Sequence, residues 1–401
     1  MKKLLTAFFA ATIAQAPTAP ALAQSDPFGE LAKMEDAQLI EEIWRSAGDM
    51  PQVFAPSFLA QVPAAQIVTL LAPLQADLGT AETVRKTGEG EYELLTATHR
   101  VPVFINRDSD GLITGLLLKP AVSRVVDKAA TLQTFIDMAP QVSVLATTDG
   151  ETVAEVNPDL RLAVGSAFKL HVLAELQSRI EAGDMAWADV VELQARHISL
   201  PSGMMQDLPL GTPITLQIVA QVMISISDNT ATDLLIDVLG REALERRSGN
   251  VPFITTRELF HMRTDRDLAN RYVQADDVQM RRGLLDGLTE RPLPSTSGIR
   301  PFTLEHPAEW YMSGTELCSV MKQVADLPLM AVEPGPLPKK DWERIAYKGG
   351  SEGGVLNMTA QFEGADGRSH CLAVTLNSDR PIDATKFTSA FVDLATSLGA
   401  D

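Results

Sequence analysis

Three short stretches carry side chains whose types and spacing suit acyl transfer: Ser166-Ala167-Phe168-Lys169, Ser227-Asp228-Asn229 and Lys348-Gly349-Gly350-Ser351. At i, i+3 on a helix the Ser166 hydroxyl and the Lys169 amine share one side, and a lysine held neutral by burial can take a serine's proton. If Ser166 opens that helix, its backbone N–H is also free to face a developing oxyanion. Ser227 and Asn229 fall between two helical segments, where a short loop presents a hydroxyl and an amide to a common cleft while Asp228 ties the loop to neighbouring backbone. Lys348 places an ammonium beside bare glycine backbone that a substrate can approach closely. Alone, each stretch has an ordinary explanation: a helix cap with a surface lysine, a turn, a hairpin. Their joint occurrence at a helix start, a helix-to-helix loop and the end of an edge strand is what points to chemistry.

The remaining reactive residues suggest no metal and no cofactor. His99, His171, His197, His261, His306 and His370 are scattered without paired metal-ligand spacing, and there is no C-x-x-C. Cys318 and Cys371 are the two cysteines. In an oxidising compartment they pair if their Cα atoms lie within about 7 Å, and otherwise they are two buried free thiols.

Holding such groups together needs a chain that can bury a core. The 401 residues are 45% hydrophobic and 21% charged, a globular balance that excludes disorder. Asp and Glu number 52 against 34 Lys and Arg, a net charge of −18. Nucleic acid and anionic membrane surfaces are therefore not expected partners. Met1-Lys2-Lys3, the apolar run Leu4 to Ile13 and Ala21-Leu22-Ala23 read as a signal peptide over 1–23, cut after Ala23. Beyond it no apolar run is long enough to span a bilayer, so a periplasmic or secreted location is expected.

Two domains are expected next. Residues 24–125 read as a small α+β domain, helical over Phe28 to Ser46 and over Ala64 to Ala72, where Pro73 stops the second helix. Thr83 to Lys86, Glu91 to Thr98, Val101 to Ile105 and Ile113 to Leu118 then form an antiparallel meander. Residues 126–401 open with a helix over Ala129 to Met138 and a hairpin of Val142 to Thr147 with Thr152 to Val156. Helical periodicity follows at Ser166 to Arg179, Thr215 to Ile224 and Thr230 to Leu239, and Arg281 to Arg300 reads as an exposed loop. Arg344 to Tyr347, Val355 to Phe362 and His370 to Leu376 read as strands, and Ala384 to Leu398 as a closing helix. Strands at both ends of this domain suggest one antiparallel sheet built from both termini, with a helical block packed against it.

The three motifs in this order resemble the S-x-x-K, S-D-N and K-T-G set of class A β-lactamases and penicillin-binding proteins. The resemblance covers about Asp127 to Asp401 and implies a β-lactamase-like α/β sandwich, so that the whole is a multi-domain α+β protein. It implies that Ser166 is the acylated nucleophile, Lys169 its base or base partner and Ser227 a proton relay. Asn229 would contact a substrate amide and Lys348 would anchor a substrate carboxylate. Backbone N–H groups of Ser166 and Ser351, beside Gly350, would form the oxyanion hole. The N-terminal order of elements is similar to the steroid-isomerase-like cone of some two-domain serine hydrolases. Gly349 departs from the pattern, because a Thr hydroxyl that binds the substrate carboxylate is usual there. Glu258, in Thr255-Thr256-Arg257-Glu258-Leu259-Phe260, is the candidate deacylation base, with a structural ion pair as its alternative. The expectation is an exported serine hydrolase acting on small carboxylate-bearing amides or esters, with weak β-lactamase or esterase activity. A D-Ala-D-Ala carboxypeptidase or cell-wall acyl transferase, and a β-lactam-binding sensor that does not turn over, are the alternatives.

Overall fold

The computed structural model describes residues 34–119, 121–124, 126–304, 308–364 and 366–399. The signal at 1–23, the start of the Phe28 to Ser46 helix, and His306 lie outside the described residues. Two compact units divide between Val125 and Val126.

The first unit has helices α1 (Asp36–Arg45), α2 (Pro56–Leu59) and α3 (Ala64–Leu78), then strands β1 (Ala81–Gly88), β2 (Glu91–Thr96), β3 (His99–Arg107), β4 (Ile113–Leu118) and β5 (Val122–Ser123). The strands pair antiparallel in the order β1-β2-β3-β4, with β5 also on β3. Apolar residues one helical turn apart face the sheet. Leu39, Ile40, Ile43 and Trp44 of α1 and Ile67 and Leu71 of α3 share a core with Leu94, Val101, Val103 and Ile105. Contrary to expectation, Pro73 does not end α3, which runs on to Leu78. Pro73 removes one N–H, but it and Thr69, whose carbonyl loses that donor, are exposed, so water can replace the bond while Leu78 gains burial.

The second unit is built on a five-stranded antiparallel sheet. Two strands come from its start, β6 (Gln141–Thr148) and β7 (Glu151–Val156). Short strands β8 (Leu162–Ala163), β9 (Val190–Glu192), β10 (Pro213–Thr215) and β11 (Tyr311–Met312) pair outside that sheet, and three strands of the sheet come from the unit's end, β12 (Arg344–Glu352), β13 (Val355–Glu363) and β14 (Ser369–Asn377), in the order β12-β13-β14-β6-β7. The flanking helices α4 (Lys128–Met138) and α13 (Ala384–Leu398) meet through Phe135 and Phe387, edge to face at 5.8 Å. The helical block comprises α5 (Lys169–Glu181), α6 (Leu216–Ser225), α7 (Asn229–Leu239), α8 (Arg241–Ser248), α9 (Thr256–Thr264), α10 (Arg266–Gln274), α11 (Val278–Leu285) and α12 (Gly314–Val324). Its core runs through Leu173, Leu176, Leu235, Phe253, Trp310 and Met321. Cys318 on α12 and Cys371 on β14 form a disulfide with their Cα atoms 5.9 Å apart.

Two expectations are corrected here. Arg281 to Arg300 is not all loop, since α11 continues to Leu285 and single turns follow at Leu288–Glu290 and Thr296–Gly298. The Lys348 motif lies inside β12 rather than at a strand end. Gly349 and Gly350 pair with Met358 and Asn357, and the chain reverses only after Glu352, which pairs with Val355. Of two successive Gly-Gly pairs, the second makes the two-residue hairpin loop.

Candidate active site

Ser166 stands in a one-turn 3-10 segment, Gly165–Phe168, and the α-helix begins at Lys169 rather than at the serine. Phe168 fixes this turn from below, stacking on Trp310 at 3.7 Å between ring centroids and meeting Phe253 edge-on. β12 crosses against it so closely that a Cβ on Gly350 would lie 2.0 Å from Val164 O and 2.6 Å from Ser166 N. A Cβ on Gly165 would be 3.2 Å from Ser351 N. Bare backbone thus brings the Ser166 and Ser351 N–H groups to one seam, where they can stabilise a negative oxygen.

Ser166 is half-buried and lines a cleft of about 700 Å³ shared by Ser227, Asn229, Tyr347, Lys348, Gly350 and Ser351. Ser227 has φ +57, left-handed backbone that a serine rarely adopts. Asp228 holds it there: its carboxylate accepts from Met204 N at 2.7 Å, Met205 N at 2.8 Å and Ala231 N at 2.8 Å, the last as the N-cap of α7. Gly203 is bare because a Cβ would fall 2.2 Å from the Asp228 carboxyl.

The bent loop puts Ser227 Oγ between two lysine nitrogens. Lys169 Nζ lies 3.2 Å from it and donates to Ser227 O at 2.6 Å and to Asn229 Oδ1 at 2.8 Å. Lys348 Nζ lies 3.1 Å from it and donates to Gly349 O at 2.7 Å. Burial first, and then the neighbouring Lys348, drive the Lys169 pKa well below the ordinary lysine value. Burial lowers that of Lys348 to about 7. A neutral Lys169 is a base, and a Ser227 hydroxyl between two lysines can pass a proton in either direction. Among the described residues no hydrogen bond joins Lys169 to Ser166.

Glu258 does not line the cleft. Its carboxylate accepts from Arg241 Nη2 at 2.6 Å and Nη1 at 3.1 Å, and from Thr255 N at 2.8 Å in a capping box that starts α9. Several cleft residues escape sequence reasoning. Thr256 lines the cleft and hydrogen-bonds Asp233 at 2.9 Å, whose carboxyl burial pushes up to about 7. Glu309 accepts from Arg263 Nη2 at 2.7 Å, and the same nitrogen donates to Glu352 at 2.7 Å. Burial and Glu352 push Glu309 well above the carboxylate range against the pull of Arg263. These residues belong to no short motif, and only packing brings them to the site. Among the described residues no group of three or more His, Cys, Asp or Glu is placed to hold a metal ion, and no helix is long and apolar enough to cross a membrane.

No curated protein matches the chain. Solved structures to which it is similar include a beta-lactamase from Sphaerobacter thermophilus, 21% identical, covering 68% of this chain and 96% of that one with a TM-score of 0.48. A beta-lactamase from Desulfarculus baarsii is 19% identical over 69% of this chain and 100% of its own, with a TM-score of 0.47. PBP-A is 17% identical over 67% and 96%, with a TM-score of 0.45. Residues 125–278 match the family model described as the Beta-lactamase enzyme family, a span that holds Ser166, Lys169, Ser227, Asn229 and Glu258 and stops short of Lys348.

Proposed function

We propose that residues 126–401 form an exported serine hydrolase that works through an acyl-enzyme on Ser166, without metal or cofactor, on small carboxylate-bearing amides or esters. The observation that carries this reading is Ser227 Oγ, held 3.2 Å from Lys169 Nζ and 3.1 Å from Lys348 Nζ in the cleft that Ser166 lines. As Ser166 Oγ bonds to the substrate carbonyl carbon, its proton goes to the neutral Lys169 amine. The Ser166 and Ser351 N–H groups receive the oxyanion. When the carbonyl re-forms, the bond to the leaving nitrogen or oxygen breaks, and that atom takes a proton from Ser227, which Lys169 re-protonates. Asn229 offers its amide to the substrate, and Lys348 pairs with its carboxylate. The helices-then-meander order of residues 34–124 supports reading the first unit as steroid-isomerase-like, and Lys2-Lys3, the apolar run Leu4 to Ile13 and Ala21-Leu22-Ala23 support reading 1–23 as an export signal.

The position of Glu258 favours a second reading, in which the site acylates but clears the adduct slowly and so acts as a sensor. Hydrolysis needs a base within reach of a water at the ester carbonyl, and Glu258 is committed to Arg241 and Thr255. Incubation with benzylpenicillin, followed by intact mass over time, separates the two readings. The expected result is a one-to-one adduct that accumulates faster than it clears and is absent from Ser166→Ala. Full labelling of Ser166→Ala sinks the assignment, and rapid turnover without an adduct removes the sensor.

A further inference from the structure

Gly349 stands where the resembling motif has a threonine, and the space its side chain would need is already taken. A Cβ on Gly349 would lie 2.4 Å from Tyr347 Oη and 3.1 Å from Tyr347 Cζ. Residues two apart on a strand share a face, so the phenol folds along β12 and caps the bare residue. A second glycine meets the ring at its Cγ end: Gly335 has φ +65, and a Cβ there would be 2.5 Å from Cγ. The ring therefore rests between two positions that cannot carry side chains. Its hydroxyl has no hydrogen-bond partner among the described residues, and Tyr347 lines the cleft beside Lys348.

We propose that Tyr347 determines specificity, its hydroxyl serving as the second donor, beside the Lys348 ammonium, that holds a substrate carboxylate over Gly349. This inference rests on the acyl-enzyme reading and names the substrate contact within it. The phenol is suited to donation, because burial and the nearby Glu333 raise its pKa to about 12 and keep its proton in place. Glycine at 349 follows from the same geometry, since any side chain there collides with the ring.

The test compares acylation rate constants for two aryl esters, one carrying a meta-carboxylate on the leaving phenol and one with that group methylated, at pH 6. The readout is their ratio. Tyr347→Phe keeps the ring and removes only the hydroxyl, and the carboxylate-to-methyl-ester ratio is expected to fall about tenfold, the scale of one hydrogen bond to a charged group. Tyr347→Ala should lower the ratio at least as far. Adding Gly349→Thr in that background returns a hydroxyl to the vacated space and should raise the ratio again. A ratio within twofold of wild type in Tyr347→Phe overturns the proposal, as does a Tyr347→Ala/Gly349→Thr protein that stays at the level of Tyr347→Ala. Ser166→Ala is run in parallel. If it is acylated like wild type, the acyl-enzyme reading fails, an outcome distinct from an unchanged ratio in a protein that still acylates on Ser166.

Discussion

Two lysines that share one hydroxyl cannot both stay charged cheaply. Lys169 and Lys348 are each within about hydrogen-bond reach of Ser227 Oγ, and both are buried. Unlike Lys348, Lys169 has acids to offset its burial, since Asp228 and Asp233 pull its pKa back up, yet it still lies well below the lysine range. Lys348 titrates near 7 and so is the site's switchable charge. The proton is bound below that pH, so a carboxylate substrate meets a cation in acid and a neutral amine in base. The carboxylate-to-methyl-ester ratio of acylation rates should therefore fall as pH rises from 6 to 8, with a midpoint at about 7. Because the second-order rate constant reports the free enzyme, the carboxylate's own effect on Lys348 does not enter it. A ratio that is flat across this range would assign carboxylate binding to groups other than Lys348.

At the scale of elements, the decisive contact is β12 against the Ser166 turn. An alanine methyl at Gly350 has no way out, because the atoms it meets are backbone: Val164 O at 2.0 Å and Ser166 N at 2.6 Å. Gly350→Ala should cost ~1–3 kcal/mol of stability, as overpacking does, and should displace the oxyanion seam, so that penicillin labelling falls by at least about tenfold. Gly283, inside α11 with nothing within 4 Å of a built Cβ, supplies the contrast. Alanine there should be neutral or stabilise by up to ~1 kcal/mol and leave labelling intact. Urea midpoints and labelling rates of the pair check both. Equal behaviour of the two variants would mean that β12 yields easily. The same contact shows what was legible in the sequence. Ser166, Lys169, Ser227, Asn229 and Lys348 could be named because short motifs fix residue types at fixed spacing, β4 because the turn residues Asp108-Ser109-Asp110-Gly111 punctuate its start, and α13 because its apolar period is clean. α9 was not visible, because its buried face includes Arg257 and Arg263, whose partners Ile198 and Glu309 lie far along the chain. Tyr347 could not be found from a pattern at all. Its place depends on side chains missing at Gly335 and Gly349.

At the scale of the molecule, each unit has a hydrophobic core of its own residues. The first runs from Leu39 to Ile113 and the second from Val164 to Ala373. Trp44 reports on the first, while Trp187, Trp310 and Trp342 report on the second, which also holds both cysteines. The Cys318–Cys371 bridge spans 53 residues, and by loop-closure entropy such a crosslink stabilises its own unit by ~4 kcal/mol. In a unit of this size that corresponds to roughly 10 °C in melting temperature. The intact chain is therefore expected to melt in two calorimetric transitions, of which reductant lowers one by about that amount and leaves the other in place. A fragment of residues 126–401 should keep only the reductant-sensitive transition and still acylate on Ser166 with the wild-type rate within about threefold, below the scale of a lost catalytic group. A single transition in the intact chain would show that the two units unfold together, and a fragment that folds but no longer acylates would show that the activity needs the first unit.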